Sequence, residues 1–364
     1  MKIGILTWFD VLNYGSVFQA YALQEQLKKL GSNVVILKHD RIIPNYYGNT
    51  LKEKSFIGLA KWIRNQSPNR VIYRSQTREK FKLFDEFKKN YLNVENHYSK
   101  TDSDIVLLGS DQIFDINSEY YPFQFGKGIS CSNISTYAPC FGETTFNKLT
   151  EFYAYNEIVD SIKSLSVVNA RDENTQQILE KILNYKIPIV LDPTLLYSFE
   201  KEKKKWNNRL INKKYCLIYT WGGITTSNEF ANKCQKFAKE NNLILVSVGE
   251  KRKWCDIQYS SASPIQFFEL FMYADVVLTN MFHGTCFSIL MERPFYSFVM
   301  PHNHNKLSGL LKYLNLDNQI ISDIDSLPKK IPRLNYVDIN KELMSKRKIS
   351  MDNLFEALKI KNER

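Results

Sequence analysis

His283 is the side chain whose type and setting best suit chemistry. An imidazole gives or takes a proton near neutral pH. His283 stands in Asn280-Met281-Phe282-His283-Gly284-Thr285, directly after the apolar strand Asp275–Thr279. A Gly-Thr pair opening a helix offers free backbone N–H groups and a hydroxyl at the positive end of the helix dipole. That combination suits a phosphate or a carboxylate. The competing reading of His283 is a satisfied core or capping histidine. Arg171, in Asn169-Ala170-Arg171-Asp172, has a guanidinium that forks onto such anions; its competing reading is a pair with Asp172 or Glu173. Asp111, in Ser110-Asp111-Gln112, is either a base or a turn cap. Asn13-Tyr14-Gly15-Ser16 and Gln19 form a fourth polar group, with an Asx turn and a solvated helix face as the ordinary alternatives. His302 and His304 flank Asn303 with no third ligand evident, so no metal is expected. The chain carries no G-x-S-x-G, Walker loop or H-E-x-x-H.

These loops share a placement. KIGILTW reads as a buried strand, Ser16–Gly31 has helical spacing with Gly31 just past its end, and Asn33–Lys38 is a second strand. That βαβ opening calls for a parallel sheet with right-handed crossovers. Leu51–Leu92 is helical, basic and aromatic. Strands are expected at Asp104–Gly109, Asn133–Ala138, around Val167 and at Ile187–Pro193, with a helix at Asn174–Leu183. A second series follows the basic stretch Lys201–Lys214, which reads as a solvated linker. Its strands are Tyr215–Trp221, Leu243–Val248, Asp275–Thr279 and Pro294–Val299. Its helices are Asn228–Glu240, Pro264–Tyr273, Gly284–Met291, Lys306–Leu314 and Lys341–Lys361. Ligands in such sheets bind outside the carboxyl ends of strands. All four polar clusters fall there.

Size and composition agree with this division. The 364 residues exceed one ordinary core, and 44% hydrophobic content fills two. No apolar run is long enough for a spanning helix, and Ile3–Trp8 is too short for a signal sequence, which together predict a cytoplasmic protein. Six scattered cysteines, with no C-x-x-C, read as small buried hydrophobes. The net charge of +11 favours an anionic partner. With no nucleic-acid motif, that partner is a phosphate-bearing substrate or an acidic membrane surface rather than nucleic acid.

Six segments in order give a resemblance: Asn13–Gln24, Asp104–Phe114, Asn133–Gly142, Asn169–Asp172, Val190–Leu196 and Ala274–Phe295. Together they resemble the polysaccharide pyruvyl transferase family. The resemblance implies two Rossmann-like doubly wound domains facing a cleft, like a type-B glycosyltransferase, with the terminal helix packing back on the first. The corresponding spans are 1–198 on the acceptor side, 199–338 on the donor side and 339–364 for the returning helix. It implies transfer from phosphoenolpyruvate to a sugar of a cell-surface polysaccharide or its lipid-linked precursor, giving a pyruvate ketal. Phosphoenolpyruvate enters as co-substrate, with no cofactor and no metal.

The resemblance also maps the family's histidine and arginine onto His283, as general acid, and Arg171. The donor would meet Arg171, Asn280, Gly284, Thr285 and Lys306, the last where the family often has arginine. The acceptor would meet Asn13, Tyr14, Gly15, Gln19, Ser110 and Gln112, with Asp111 in the catalytic set. Where the family usually has aspartate and serine before Phe-His-Gly, this chain has Asn280 and Met281; a usual tryptophan is Phe114. Two further readings stand beside it. One is a nucleotide-sugar glycosyltransferase with Glu269 or Asp275 on a ribose; the other is a sugar-binding family member without catalysis.

Overall fold

The computed structural model describes residues 1–39, 68–117, 120–300 and 304–359, with side chains from residue 77 in the second stretch. Two parallel sheets organise the α/β chain. The first runs β3-β2-β1-β4-β5, from β1 (Lys2–Leu6), β2 (Asn33–Lys38), β3 (Val94–His97), β4 (Ile105–Leu108) and β5 (Ile134–Thr136). The second runs β11-β10-β9-β6-β7-β8, from β6 (Tyr215–Tyr219), β7 (Ile244–Val248), β8 (Ile257–Tyr259), β9 (Val276–Thr279), β10 (Phe295–Phe298) and β11 (Ile320–Ile321). The central strands β4, β6, β9 and β10 are buried along their whole length, as a sheet covered on both faces requires. That is why they read as unbroken apolar runs. In each sheet the strand order reverses once, between β1 and β4 and between β6 and β9. Those two switch points open the crevices where α/β sheets take ligands.

Several expected elements differ. Strand-like segments at Val167 and Ile187–Pro193 are extended but are not strands. Ser166 N–H and Thr136 N–H link Val167's neighbourhood to β5, and a lone parallel bridge joins Ala170 to Ile189. Lys186-Ile187-Pro188 explains part of this, since Pro188 has no N–H to add to a ladder. The stretch 201–214 is not all linker. Helix Glu200–Lys205 buries Glu202, which accepts hydrogen bonds from Tyr21 Oη at 2.5 Å and Tyr197 Oη at 3.1 Å. The short or polar β3, β8 and β11 escaped the periodicity. Of Leu51–Leu92, helix Pro68–Tyr91 is described, and residues 51–67 lie outside the described residues, as does His302.

The halves are joined by aromatic packing. Helix Tyr14–Lys29 turns Tyr14 onto Phe267, stacked at 4.3 Å, and Phe18 edge-on to Phe287 at 5.0 Å. Tyr14 Oη also donates to the Ala262 carbonyl at 2.8 Å. One continuous apolar cluster therefore runs from β1 to the helices of the second sheet. Helix Tyr336–Ala357 returns to the first half. There Ser350 Oγ accepts from Leu191 N–H at 2.8 Å, and Arg347 Nε donates to the Leu195 carbonyl at 2.7 Å. Among the described residues no helix is long and apolar enough to cross a membrane.

Candidate active site

The site grows from the ends of strands on both sides of the aromatic joint. β9 ends at Thr279, whose hydroxyl donates to the Tyr219 carbonyl at 2.6 Å and accepts from Met281 N–H at 3.0 Å. The next helix begins at Phe282, two residues earlier than the Gly-Thr pair suggested. His283 therefore lies inside the first turn, and the free N–H groups of the helix start belong to Phe282, His283 and Gly284. Thr285 is already past them. Its N–H donates to the Met281 carbonyl at 3.1 Å, and its hydroxyl sits 2.6 Å from Ser297 Oγ on β10. Gly284 serves close packing: a Cβ there would stand 2.2 Å from Thr279 Oγ1.

His283 is buried and reaches the first half. Its Nε2 is 3.5 Å from Asp192 Oδ2, longer than an ordinary hydrogen bond. Its Nδ1 edge lies against Gly15, where a Cβ would come within 1.9 Å. Glycine at position 15 is thus what lets the start of the first long helix approach the imidazole. Arg171 completes the group, donating from Nη1 to Asp192 Oδ2 at 2.9 Å and lying 3.5 Å from Asp111 Oδ1. Its guanidinium also covers the Phe282 ring at 4.6 Å. The local alternatives for Arg171, Asp172 and Glu173, are not its partners. Asp172 instead caps helix Glu173–Leu183 by accepting from Thr175 N–H and takes the Cys140 thiol at 2.8 Å.

Asp192 is the residue that sequence reasoning missed. It is buried at the start of the turn Pro193–Leu196, accepting from Thr194 N–H at 3.0 Å, Thr194 Oγ1 at 2.7 Å and Ser110 Oγ at 3.2 Å. An Asp-Pro after an apolar run looks like an ordinary capped turn. The available signal was its place inside one of the six family-like segments.

Electrostatics tie the group together. Burial works against ionising Asp192, but His283, Arg171 and the Thr194 N–H hold its carboxyl well below the usual range. Burial likewise opposes the Asp111 charge. Arg171, His283 and the Ser16 hydroxyl, which donates at 2.7 Å, nevertheless keep it lowered. Burial also opposes the Arg171 charge, and the carboxylates of Asp192, Asp111 and Asp172 outweigh it. Burial and Asp172 push the Cys140 thiol up to about 12, against Arg171 and Lys306. Lys306 is half-buried in helix His304–Tyr313.

The other expected contacts are mostly structural. Asn13 caps its helix by accepting from Gly15 N–H at 2.8 Å. Tyr14 is spent on the joint between halves. Gln19 is no solvated residue; it is fully buried and donates to Thr7 Oγ1, the Trp8 carbonyl and the Ser16 carbonyl. The Gln112 carbonyl accepts from Trp8 Nε1 at 3.1 Å. Asn280 pairs with the backbone of Trp221, accepting from its N–H and donating to its carbonyl, both at 2.8 Å. Glu269 accepts from Asn208 N–H, and Asp275 accepts from Tyr215 N–H at the opposite end of the strands.

Comparison with solved structures finds similar chains at low identity. The UDP-GlcNAc 2-epimerase of Neisseria meningitidis, bound to UDP-GlcNAc, is 13% identical over 98% of this chain and 100% of its own, with TM-score 0.45. The UDP-GlcNAc 2-epimerase of Methanocaldococcus jannaschii is 11% identical over 94% and 92%, with TM-score 0.46. A UDP-forming α,α-trehalose-phosphate synthase of Burkholderia xenovorans is 11% identical over 100% and 99%, with TM-score 0.49. At these scores the likeness says nothing about substrate. Comparison with curated proteins gives no match. The sequence model of polysaccharide pyruvyl transferases matches residues 13–302, a span holding every member of the His283 group, and the chain belongs to that family.

Proposed function

We propose that this protein transfers a pyruvyl group from phosphoenolpyruvate to two hydroxyls of a saccharide. The observation that carries the reading is the buried His283, whose Nε2 lies 3.5 Å from the Asp192 carboxylate that Arg171 also holds. An imidazole held against a carboxylate is placed to give a proton to a substrate in the crevice. His283 gives its proton to the methylene carbon of the donor, so C2 becomes cationic. A sugar hydroxyl bonds to C2 and loses its proton. The C2–O bond to phosphate then breaks, with its electron pair leaving on phosphate. A second hydroxyl closes the ketal and releases the last proton.

The donor carries a carboxylate and a phosphate. The N–H groups at the start of helix Phe282–Leu290 and the Lys306 ammonium are the groups that would receive them. Arg171 contributes differently from a free anion clamp. Its Nη1 holds Asp192 at 2.9 Å and lies 3.5 Å from Asp111, so its charge organises the two carboxylates around His283. Asp192 is a positioning residue that acts through His283. The basic net charge suits an acceptor linked to a lipid phosphate at an anionic membrane face.

The test is inorganic phosphate release from phosphoenolpyruvate in the presence of a saccharide acceptor. His283→Ala should lower turnover by about 10³-fold, within the range for a general acid, with unchanged far-ultraviolet circular dichroism. Near-wild-type turnover in that variant would remove the assignment.

A further inference from the structure

We infer that Trp221 is the platform on which a ring of the saccharide acceptor stacks, at the switch point between β6 and β9; this rests on the transfer reaction proposed above. Trp221 follows β6 and is 59% exposed, although its strand is wholly buried. Among the described residues no ring packs against it. Exposed tryptophans on loose loops mean little, but this backbone is fixed on every side. Asn280 holds both the N–H and the carbonyl of Trp221. Buried Arg252 donates to the Thr220 carbonyl at 3.1 Å, and Thr225 Oγ1 donates to the Gly222 carbonyl at 2.6 Å. Gly222 and Gly223 then turn away at φ 59° and 57°, a region open to glycine.

An uncovered indole on a fixed backbone stays in place over the crevice, so binding has less to order than it would on a loose loop. The negative face of the ring attracts the polarised C–H face of a pyranose. The location is the crevice at a strand-order reversal, three residues from His283 through Asn280. Asn280 also becomes intelligible here. An amide can accept from one backbone group and donate to the other. A carboxylate, which the family usually carries at this position, would face the Trp221 carbonyl with a second acceptor. Asn280 is thus a positioning residue for the platform rather than a donor contact.

Saturation-transfer NMR with methyl glycosides of galactose, mannose, N-acetylglucosamine and N-acetylmannosamine, and with UMP as nucleobase control, tests the platform without turnover. At least one glycoside should bind wild-type protein. Trp221→Ala should weaken it about tenfold, Trp221→Phe much less. Asn280→Asp should weaken it with the fold intact. In the transfer assay, Trp221→Ala should raise the acceptor KM and leave that for phosphoenolpyruvate unchanged. Glycoside binding indifferent to Trp221, no glycoside binding at all, or Trp221-dependent binding of UMP alone would each overturn the inference. Trp221-dependent glycoside binding without phosphate release would sink the reaction and leave the platform. Phosphate release with an unchanged acceptor KM in Trp221→Ala would do the reverse.

Discussion

Arg171 and Arg252 are a matched pair with different consequences. Each is buried to the same degree, each follows a strand-like segment in its own half, and each has an Nε without a hydrogen-bond partner. Each also faces a carboxylate: Arg171 Nη1 meets Asp192 at 2.9 Å, and Arg252 Nη2 meets Glu250 at 3.1 Å. The carboxylates respond in opposite directions. Asp192 is held well below the usual range, whereas burial keeps Glu250 raised despite Arg252 and Lys80. The difference lies in the rest of each shell. Asp192 also receives Thr194 N–H, Thr194 Oγ1, Ser110 Oγ and the His283 ring, so its charge is spread over several donors. Arg252 spends its other hydrogen bonds on the Thr220 carbonyl and the hydroxyls of Thr220 and Thr225. One arginine sustains buried charge beside a histidine. The other braces a loop.

The comparison breaks most easily at the arginines themselves. Arg171→Met strands Asp192 and Asp111 as buried charges, and removing one partner of such a group costs about 3–5 kcal/mol. Arg252→Met leaves only a half-buried Glu250 and loses hydrogen bonds from a charged donor, about 1.5–3 kcal/mol. Urea unfolding of the two variants should rank them in that order. Equal losses would mean that the two shells do the same work.

Acid should separate the halves next. Asp192 and Asp111 have folded-state pKa values below their unfolded ones, so their stabilisation is complete above the unfolded value of about 4 and fades as pH falls through and below it. Thermal midpoints measured from pH 6 down to 3 should fall more steeply for wild type than for Asp192→Asn. Parallel slopes would remove Asp192 from the charged group.

How much of this was legible in the sequence follows the same division between local and long-range interactions. β1, β2, β4, β6 and β9 were readable because parallel strands buried on both faces are unbroken apolar runs, and the helix Asn228–Glu240 because its buried residues recur with helical spacing. His283 and Arg171 were singled out by type and by their place after strands. Asp192 was not, because its meaning depends on Arg171, 21 positions away, and on His283 in the other half. The structural roles of Gln19 and Asn280 were hidden for a related reason. A polar side chain reads as available until its partners are known, and theirs are mostly backbone groups brought up by the fold.

The smallest expected effect is the sharpest test of the contrast. Glu250 has a raised pKa, so folding penalises its charged form, and Arg252 only partly offsets the burial. By the linkage sign, a carboxyl raised on folding adds no stability at neutral pH. Replacing it by glutamine keeps the shape and an oxygen acceptor for Arg252 while removing the penalised charge. Glu250→Gln should therefore change unfolding free energy by less than about 1 kcal/mol, as for partly exposed ion pairs in general. A loss as large as that of Arg171→Met would show that Glu250 is held ionised after all, and the two arginines would then be doing one job in two places.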